Sequence, residues 1–522
     1  MAQRPFELAR TRVTLFEALL RARDAKGGKT PILEDHERKV LTYDDIVRAA
    51  FALGGKLDVK IKRNETAGVM LPTGVGCVVT FFALHAIGRT PAMLNFTAGA
   101  MNLRAACEAA NVKKILTSKR FIQLAKLESL EAELSKFAKL IYLEDIRTTI
   151  DFGDKVVALI KGMAPRVFAA KGNPDDTGVI LFTSGSYGTP KGAVLSHANI
   201  VANVEQAHAH VPFDPNWSFF SPLPMFHCFG LTGGAMLPLL TGHKCFLFPS
   251  PLQVKEIPKL VRDTGANVFL ATDTFAMQYA RNAQDGDLSP IELMVCGAER
   301  VKDETREVYK RRFDVEILEG YGATEASPVI AVNAPEHNKH GTVGQFLPGI
   351  EWRLEAVPGI EGGQKLYVRG PNVMRGYLDP TKPFGIDLLP QGWHDTGDVI
   401  DVDEDGYITI LGRVKRFAKV GGEMVSLNAV ESYAQHVWSD NLHAAVALPD
   451  SRKGERIILF TDKQDATAED LQAWCKANGA SELAIPKRIV PIPEIPVLGS
   501  GKTDYVALQR LAAERFAEQK AA

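Results

Sequence analysis

The sequence predicts an α/β protein: a large N-terminal domain of helix-flanked sheets with a β-rich subdomain, then a small α+β C-terminal domain. Three observations carry that expectation. At 522 residues the chain is too long for one compact core. From about residue 10 to 410, short β-branched runs alternate with amphipathic stretches, the pattern of parallel sheets covered by helices. From Gln364 the texture changes to "KLYVRG" and "GYITILGRVKRFAKV". These segments roughly alternate and are divided by glycine, as antiparallel strands are.

The elements follow in order. No charge occurs between Glu65 and Arg89, but Pro72, Gly74, Gly76 and His85 interrupt the apolar run. A buried strand, a glycine turn and a packed helix explain it better than a membrane span. "KKILTS" reads as a strand before a helical "KRFIQLAKLESLEAELSKF", and "HANIVAN" as a β-branched run before a helical "VEQAHAHV". Trp217–Gly242 is also uncharged, yet Pro222, Pro224 and Pro238 argue against a continuous span. After Gly412 a charged, glycine-punctuated segment leads into mixed α+β texture ending in the helical "YVALQRLAAERFAEQKAA". The expected domains are therefore residues 1–412 and 413–522.

Composition excludes several classes. The net charge of −1 gives no electrostatic reason to expect nucleic acid or a broad anionic-lipid surface. Six scattered cysteines without a CxxC pair read as reduced, buried thiols, which suits a cytoplasmic protein. The N-terminus "MAQRPFELARTR" has no apolar core of a signal peptide.

Chemistry concentrates in Leu181–Gly192, "LFTSGSYGTPKG", which follows the strand-like "TGVI". Ser184, Gly185, Ser186, Gly188 and Gly192 let the backbone curl and turn its N–H groups inward. The hydroxyls of Thr183, Ser184 and Ser186 add donors, and Lys191 adds a positive charge. Such a loop cradles an oligophosphate; a flexible surface loop accounts for the Gly and Ser but not for a lysine fixed behind Pro190. Near the C-terminus "GSGKT" (Gly499–Thr503) imitates the end of a nucleotide P-loop. Pro496 occupies the place of the first glycine, and the approach "VPIPEIPVL" is a proline-rich connector. This segment instead makes a loop presenting one lysine, Lys502.

In order along the chain stand "LFTSGSYGTPKGAVLSH", "EGYGATE" (Glu319–Glu325), "GWHDTGD" (Gly392–Asp398), "GRVKRFAKVGGEMVS" (Gly412–Ser426) and "GSGKT". This set resembles the adenylate-forming superfamily of acyl-CoA synthetases, luciferases and peptide-synthetase adenylation domains, and the resemblance spans essentially the whole chain. It implies that a carboxylic acid condenses with ATP to an acyl adenylate and pyrophosphate, after which a thiol attacks the mixed anhydride. Lys191 and the Gly-rich loop would hold the β- and γ-phosphates. Glu325 would be the oxygen ligand of Mg²⁺, and Thr324 would bond the α-phosphate. Gly320 and Tyr321, with Gly297, Ala298 and Glu299 of "CGAE", would form the adenine slot. Asp398 and Arg413 would hold the ribose. Lys502 would stabilise negative charge during adenylation, and the mobile C-terminal domain would then rotate about a hinge at Lys415, offering "RFAKVGGE" for the second step. Alone, Glu325 and Asp398 read as surface carboxylates and Lys415 as a solvated turn residue.

The acid is read from "PMFHCFG". Where amino-acid-activating members carry Asp after an aromatic, this chain has His227 after Phe226, which joins the catalytic candidates. The apolar surroundings, with Gly233 and Gly234, favour a fatty acid. Tyr187, "LPMFHCFGLT", "LLTGHKCFLFPSPL" and "RFAKVGGEMVSL" are similar to the synthetase half of the bifunctional acyl-[acyl-carrier-protein] synthetase/2-acylglycerophosphoethanolamine acyltransferase family. That similarity implies acyl carrier protein as thiol acceptor and at most a peripheral association with the inner face of the cell membrane. CoA is the alternative acceptor, and a non-catalytic nucleotide-binding regulator the rival from another class. The transferase's H-x-x-x-x-D pattern is absent; His210, His394 and His436 each have Asp one position too close. Two basic stretches, Lys415/Arg416/Lys419 and "YKRRF" (Tyr309–Phe313), are the candidate docking patches for an acidic carrier protein.

Overall fold

The computed structural model describes residues 5–63, 65–183, 190–360, 362–379, 385–420, 423–450, 454–478, 482–498 and 503–517. The chain forms two compact units, residues 1–351 with 369–394, and residues 352–368 with 395–522.

Two large sheets organise the first unit. One has eight strands, from its outer edge Ile386–Leu388, Gly376–Leu378, Lys191–Ser196, Thr177–Thr183, Thr90–Met93, Thr66–Val69, Lys114–Thr117 and Lys139–Tyr142. The strands from Thr177–Thr183 to Lys139–Tyr142 pair in parallel, and Lys191–Ser196 turns back antiparallel on Thr177–Thr183. The other sheet has nine strands, with a parallel centre running through Phe219–Ser221, Val268–Ala271, Leu293–Gly297 and Ile317–Gly322. Helices carry the crossovers, as the alternating pattern predicts. The uncharged stretch after Glu65 is the buried strand Thr66–Val69, a turn at Gly74 and the helix Val75–Ala86, whose Phe81 and Phe82 are wholly buried. Among the described residues no helix is long and apolar enough to cross a membrane.

Two local expectations change. "KRFIQLAKLESLEAELSKF" is two helices, Lys119–Leu124 and Glu128–Leu134, because the backbone turns left-handed at Lys126 (φ 54°). "HANIVAN" is not a strand: His197–His210 is one continuous helix. Ser196 Oγ accepts from Asn199 N at 3.1 Å while Asn199 Oδ1 accepts from Ser196 N at 2.8 Å. That reciprocal cap starts a helix whatever the β-branched content behind it.

The second unit holds most of a four-stranded sheet, Glu351–Ala356, Gln364–Arg369, His394–Val402 and Ile408–Arg413. It also holds a five-stranded sheet, in which His443–Asp450 pairs antiparallel with Gly454–Thr461. The helices Leu427–Val437, Ala468–Ala477 and Tyr505–Ala517 belong here. Compactness thus groups residues 352–368 and 395–412 with the C-terminal residues, through contacts such as Ser426 Oγ to Leu411 O. The expected boundary at 412/413 is one of motion, a hinge, which compactness does not address. All six cysteines are free and buried.

Candidate active site

The glycine-rich loop joins two antiparallel strands of the eight-stranded sheet. Thr183, the last residue of one strand, pairs with Lys191, the first of the next. Ser184, Gly185, Ser186 and Gly188 lie outside the described residues. Register therefore fixes the mouth of the loop, and Lys191 is exposed there. Its ammonium lies 5.0 Å from the ring centroid of Tyr377, a cation–π contact. Tyr377 sits on Gly376–Leu378, which pairs with the strand of Lys191 through Tyr377↔Ala193. The Tyr377 hydroxyl donates to Glu325 Oε1 at 2.5 Å. Tyr377 thus brings Lys191 and Glu325, far apart in sequence, to the two ends of one side chain.

Glu325 is further tethered by its carbonyl, which accepts from Met374 N at 2.7 Å. Thr324 and Cys228 share a hydrogen bond, Oγ1 to Sγ at 3.3 Å. Just before, Gly322 passes so close to Pro328 that a Cβ would lie 2.3 Å from its carbonyl oxygen, so only glycine fits. Glu325 offers a hard carboxylate oxygen not occupied by Tyr377. That donor chemistry suits Mg²⁺, which takes few protein ligands and completes its shell with phosphate and water. Among the described residues no group of three or more His, Cys, Asp or Glu forms a protein-only metal cage.

The expected adenine residues lie at the carboxyl ends of two neighbouring parallel strands. Gly297 is in register with Gly320, and Tyr321 follows, half-buried. Ala298 has φ 72°, a left-handed conformation that alanine adopts at a cost and that gathers at functional sites. Glu299 Oε2 accepts from Thr274 N at 3.0 Å and from its hydroxyl at 2.9 Å, which fastens the turn to the helix Asp273–Asn282. Glu319 holds the same turn from the other side. Its carboxylate accepts from Val301 N at 3.1 Å and Arg306 Nη2 at 2.7 Å. Burial pushes the Glu319 carboxyl up from its ordinary range, with those donors opposing the shift.

Sequence reasoning missed the residues that hold these segments in place. The helix His197–His210 is largely buried and carries Asn199, Asn203, Gln206 and His210 on one stripe. Asn199 Nδ2 donates to Pro371 O and Val373 O, both at 2.8 Å. Asn203 exchanges two bonds with Val329, donating to its carbonyl at 2.8 Å and accepting from its N–H at 3.0 Å. Gln206 donates to Pro348 O at 2.8 Å, and His210 Nε2 lies 2.9 Å from Val332 O. Asn372 reaches Ala326 O at 2.8 Å. Together these amides support the segment after Glu325 and the segment leading to Tyr377. The signal was present: polar residues spaced four, three and four apart on a helix whose other positions are mostly Ala, Val and Ile. Tyr377 left no such trace.

His227 is half-buried at the start of an unusual helix. Residues Phe229–Met236 form a π-helix, a geometry common at functional sites. Gly230 permits it, since a Cβ there would lie 2.2 Å from Pro224 O. Gly233 and Gly234 are buried in this helix.

Asp398, Arg413 and Lys415 belong to the second unit. Asp398 and Arg413 face each other across antiparallel strands, and Arg413 Nε donates to Asp398 Oδ1 at 2.6 Å. Asp398 is buried and Arg413 exposed. Lys415 lies exposed on the turn Val414–Arg416. Lys502, Gly421 and Gly422 lie outside the described residues.

The first basic docking patch loses its central member. Arg416 is 15% exposed and donates to Glu431 Oε1 and Ala445 O, both at 2.6 Å. Its guanidinium lies 3.8 Å from the Tyr505 ring centroid. Arg416 therefore fastens the turn beside Lys415 to the helices Leu427–Val437 and Tyr505–Ala517, and is not a docking cation. In "YKRRF", Tyr309 and Phe313 are buried core and Arg312 donates to Ala280 O and Ala283 O.

The family model for AMP-binding enzymes matches residues 20–378. A long-chain-fatty-acid–CoA ligase of Escherichia coli O157:H7 is 32% identical over 348 residues. A medium-chain fatty-acid–CoA ligase of Escherichia coli K12 is 31% identical over 357 residues. The first match covers 63% of this chain and 60% of that ligase, so this chain spans under two thirds of the length of the curated relatives it matches. In fold, the chain is similar to ATP-bound MatB from Rhodopseudomonas palustris, with TM-score 0.80 at 20% identity over 96% of this chain and 99% of that one. It is likewise similar to o-succinylbenzoate CoA synthetase from Bacillus subtilis, with TM-score 0.79 at 18% identity over 98% of this chain and 99% of that one. The family match runs through Thr183, Lys191, the Gly297/Gly320 strand pair, Glu325 and Tyr377, and so takes in the whole constellation of the first unit; this chain belongs to the AMP-binding enzyme family.

Proposed function

We propose that the chain is an AMP-forming acid–thiol ligase that activates a fatty acid with ATP and passes the acyl group to a thiol. One observation carries the reading: Tyr377 joins Lys191 at the loop mouth to Glu325 beside Thr324. A phosphate-binding cation and a metal-binding carboxylate are thereby held around one place. In the first step a carboxylate oxygen of the acid bonds to the α-phosphorus of ATP, and the bond to pyrophosphate breaks. Lys191 and the loop hydroxyls hold the departing phosphates, and Thr324 bonds the α-phosphate. Mg²⁺ held at Glu325 would supply charge neutralisation between phosphates. The Gly297–Glu299 turn and Gly320–Tyr321 take the adenine, and Asp398 with Arg413 takes the ribose. His227 and the π-helix behind it flank the acid. In the second step the thiolate sulfur bonds to the acyl carbon and AMP leaves with the electron pair. Rotation of the C-terminal domain about Lys415 separates the steps.

The names of the relatives favour CoA as acceptor. The carrier-protein reading rests on the resemblance carried by Leu223–Thr232, Leu239–Leu252 and Arg416–Leu427. Incubating palmitate, ATP and Mg²⁺ with CoA or with acyl carrier protein, and resolving products by mass, separates the two; neither thioester formed would remove the ligase reading.

Lys502 gives a sharper test. Lys502→Ala is expected to slow fatty-acid-dependent ATP–pyrophosphate exchange by about 10²–10³, as for one lost oxyanion donor. Thioester formation from synthetic acyl adenylate should persist. Normal exchange in the variant would remove the assignment of Lys502.

A further inference from the structure

The helix Phe152–Met163 is inside out. Its apolar side chains Phe152, Val156, Leu159, Ile160 and Met163 are exposed, Phe152 by 81% and Met163 by 78%. The next short helix, Pro165–Phe168, continues the face with Val167 (74%) and Phe168. The side turned to the protein is polar or small. Asp154 pairs with Lys56 at 2.6 Å, Lys161 lies 6.0 Å from the Phe51 ring, and Ala158 is buried. Gly162 lets Arg48 pass, since a Cβ there would lie 3.0 Å from its Cγ. The partner is the helix Tyr43–Asp58, so the contact is made through charges while the apolar stripe faces outward. Scattered exposed apolar residues are ordinary, but a contiguous face of this kind marks an interaction surface.

Charge says what covers it. Lys56, in the last turn of its helix, pairs with Asp154 in the first turn of Phe152–Met163, and Val59–Arg63 follows within three to seven residues of it. Val59 is 85% exposed, and Lys60, Lys62, Arg63 and, on the helix itself, Lys155 are exposed. No ion pair engages these four cations among the described residues, whereas the nearby acids are occupied: Asp58 by Arg89, Glu65 by Lys114 and Asp151 as helix cap. Protruding apolar side chains on a convex helix, with unpaired cations at one end, match an interfacial helix on an anionic bilayer. A net charge near zero does not oppose this, because the attraction is local.

We propose that the Phe152–Phe168 face seats the protein on anionic phospholipid, with Phe152, Leu159, Ile160 and Met163 entering the headgroup boundary and Lys60, Lys62, Arg63 and Lys155 meeting lipid phosphates. The surface stands on the geometry alone; its purpose, access to a membrane-dissolved acid, rests on the fatty-acid reading.

The test is flotation of the full chain with vesicles of phosphatidylcholine, alone or with phosphatidylglycerol. Wild type is expected to float with the mixed vesicles and to be released by salt. Leu159→Asp with Ile160→Asp should weaken partitioning by roughly tenfold or more, and Lys62→Glu with Arg63→Glu several-fold. Circular dichroism melting confirms that the variants fold. Absence of flotation, or flotation unaffected by the apolar variant, overturns the proposal. So does a wild-type dimer in sedimentation that the apolar variant dissociates without vesicle binding, or capture of acidic carrier protein by this face in place of lipid. None of these outcomes depends on ligase activity, so the mass assay above can fail while flotation succeeds, and the reverse.

Discussion

The helices His197–His210 and Phe152–Met163 carry the same spacing with opposite content. Asn199, Asn203, Gln206 and His210 stand four, three and four residues apart, and so do Phe152, Val156, Leu159 and Met163. The first stripe is polar and buried; the second is apolar and exposed. Amphipathic period alone gives the stripe and not its direction. Direction follows from what the neighbour needs. The inner helix faces the loop residues Pro348 and Pro371–Val373 and backbone groups of the strand Val329–Val332, to which its side chains supply hydrogen bonds. Buried backbone groups must be paired, and carboxamides can both donate and accept. The outer helix faces Arg48, Phe51 and Lys56, which are matched by Asp154, Lys161 and small residues.

If the inner stripe holds the site together, removing one amide should be costly. Asn203→Leu keeps the approximate volume but orphans the N–H of Val329 and leaves its carbonyl only the longer bond from Asn372 Nδ2 at 3.1 Å. A buried unpaired group costs about 1–3 kcal/mol, so a loss of about 2 kcal/mol is expected. The check is the thermal midpoint, with pyrophosphate exchange beside it, because Val329 lies four residues from Glu325. A variant as stable as wild type would show that the stripe is packing and not support.

This contrast also explains what was legible in the sequence. The alternation of strands and helices was legible because it repeats over hundreds of residues and each repeat confirms the last. Lys191, Glu325 and the Gly297/Gly320 pair were legible because local motifs surround them. Tyr377 and Asn372 were not: each works by meeting a residue tens to hundreds of positions away, and neither sits in a motif. "HANIVAN" misled because β-branched content was weighed without the Ser196–Asn199 cap. Arg416 misled for a related reason, since a charge run in sequence does not disclose that Glu431 lies opposite it. There, burial pushes the Glu431 carboxyl up, against the pull of Arg416.

The two helices should also differ in their response to acid. His197 opens the inner helix; its Nδ1 accepts from Leu15 N at 3.3 Å and its ring lies edge-on to His85 at 5.0 Å. Burial pushes His197 down to about 4 from an ordinary 6.5, with Asp176 opposing. A depressed value means that the unfolded chain takes up the proton first. The stability from His197 is therefore present above pH 6.5 and is lost as pH falls toward 4, by on the order of 3 kcal/mol. His85 and His243 are shifted down in the same sense. Melting midpoints between pH 7 and 4 should fall for wild type and fall less steeply for His197→Gln, which removes the titration and keeps an acceptor. Identical slopes would take His197 out of this account.

The smallest effect is expected where the comparison is most exposed to failure. Leu159→Lys with Ile160→Lys replaces two large apolar side chains by charges, a change that in a core costs several kcal/mol. On the outer helix those side chains touch solvent, and lysine has equal or better helix propensity than isoleucine. In solution without lipid, the double variant should therefore melt within about 0.5 kcal/mol of wild type, as surface substitutions do. Ala158→Lys, one residue away on the inward side, should be markedly destabilised because Ala158 is buried against the Tyr43–Asp58 helix. The pair of measurements reads the direction of the stripe directly. A large loss in the outward double variant would mean that the face is covered in the free protein, and the helix would then rejoin the ordinary class with its apolar stripe inside an interface. Near-neutral stability combined with lost flotation would instead assign the side chains to lipid, since they would contribute nothing to folding and most of the attachment.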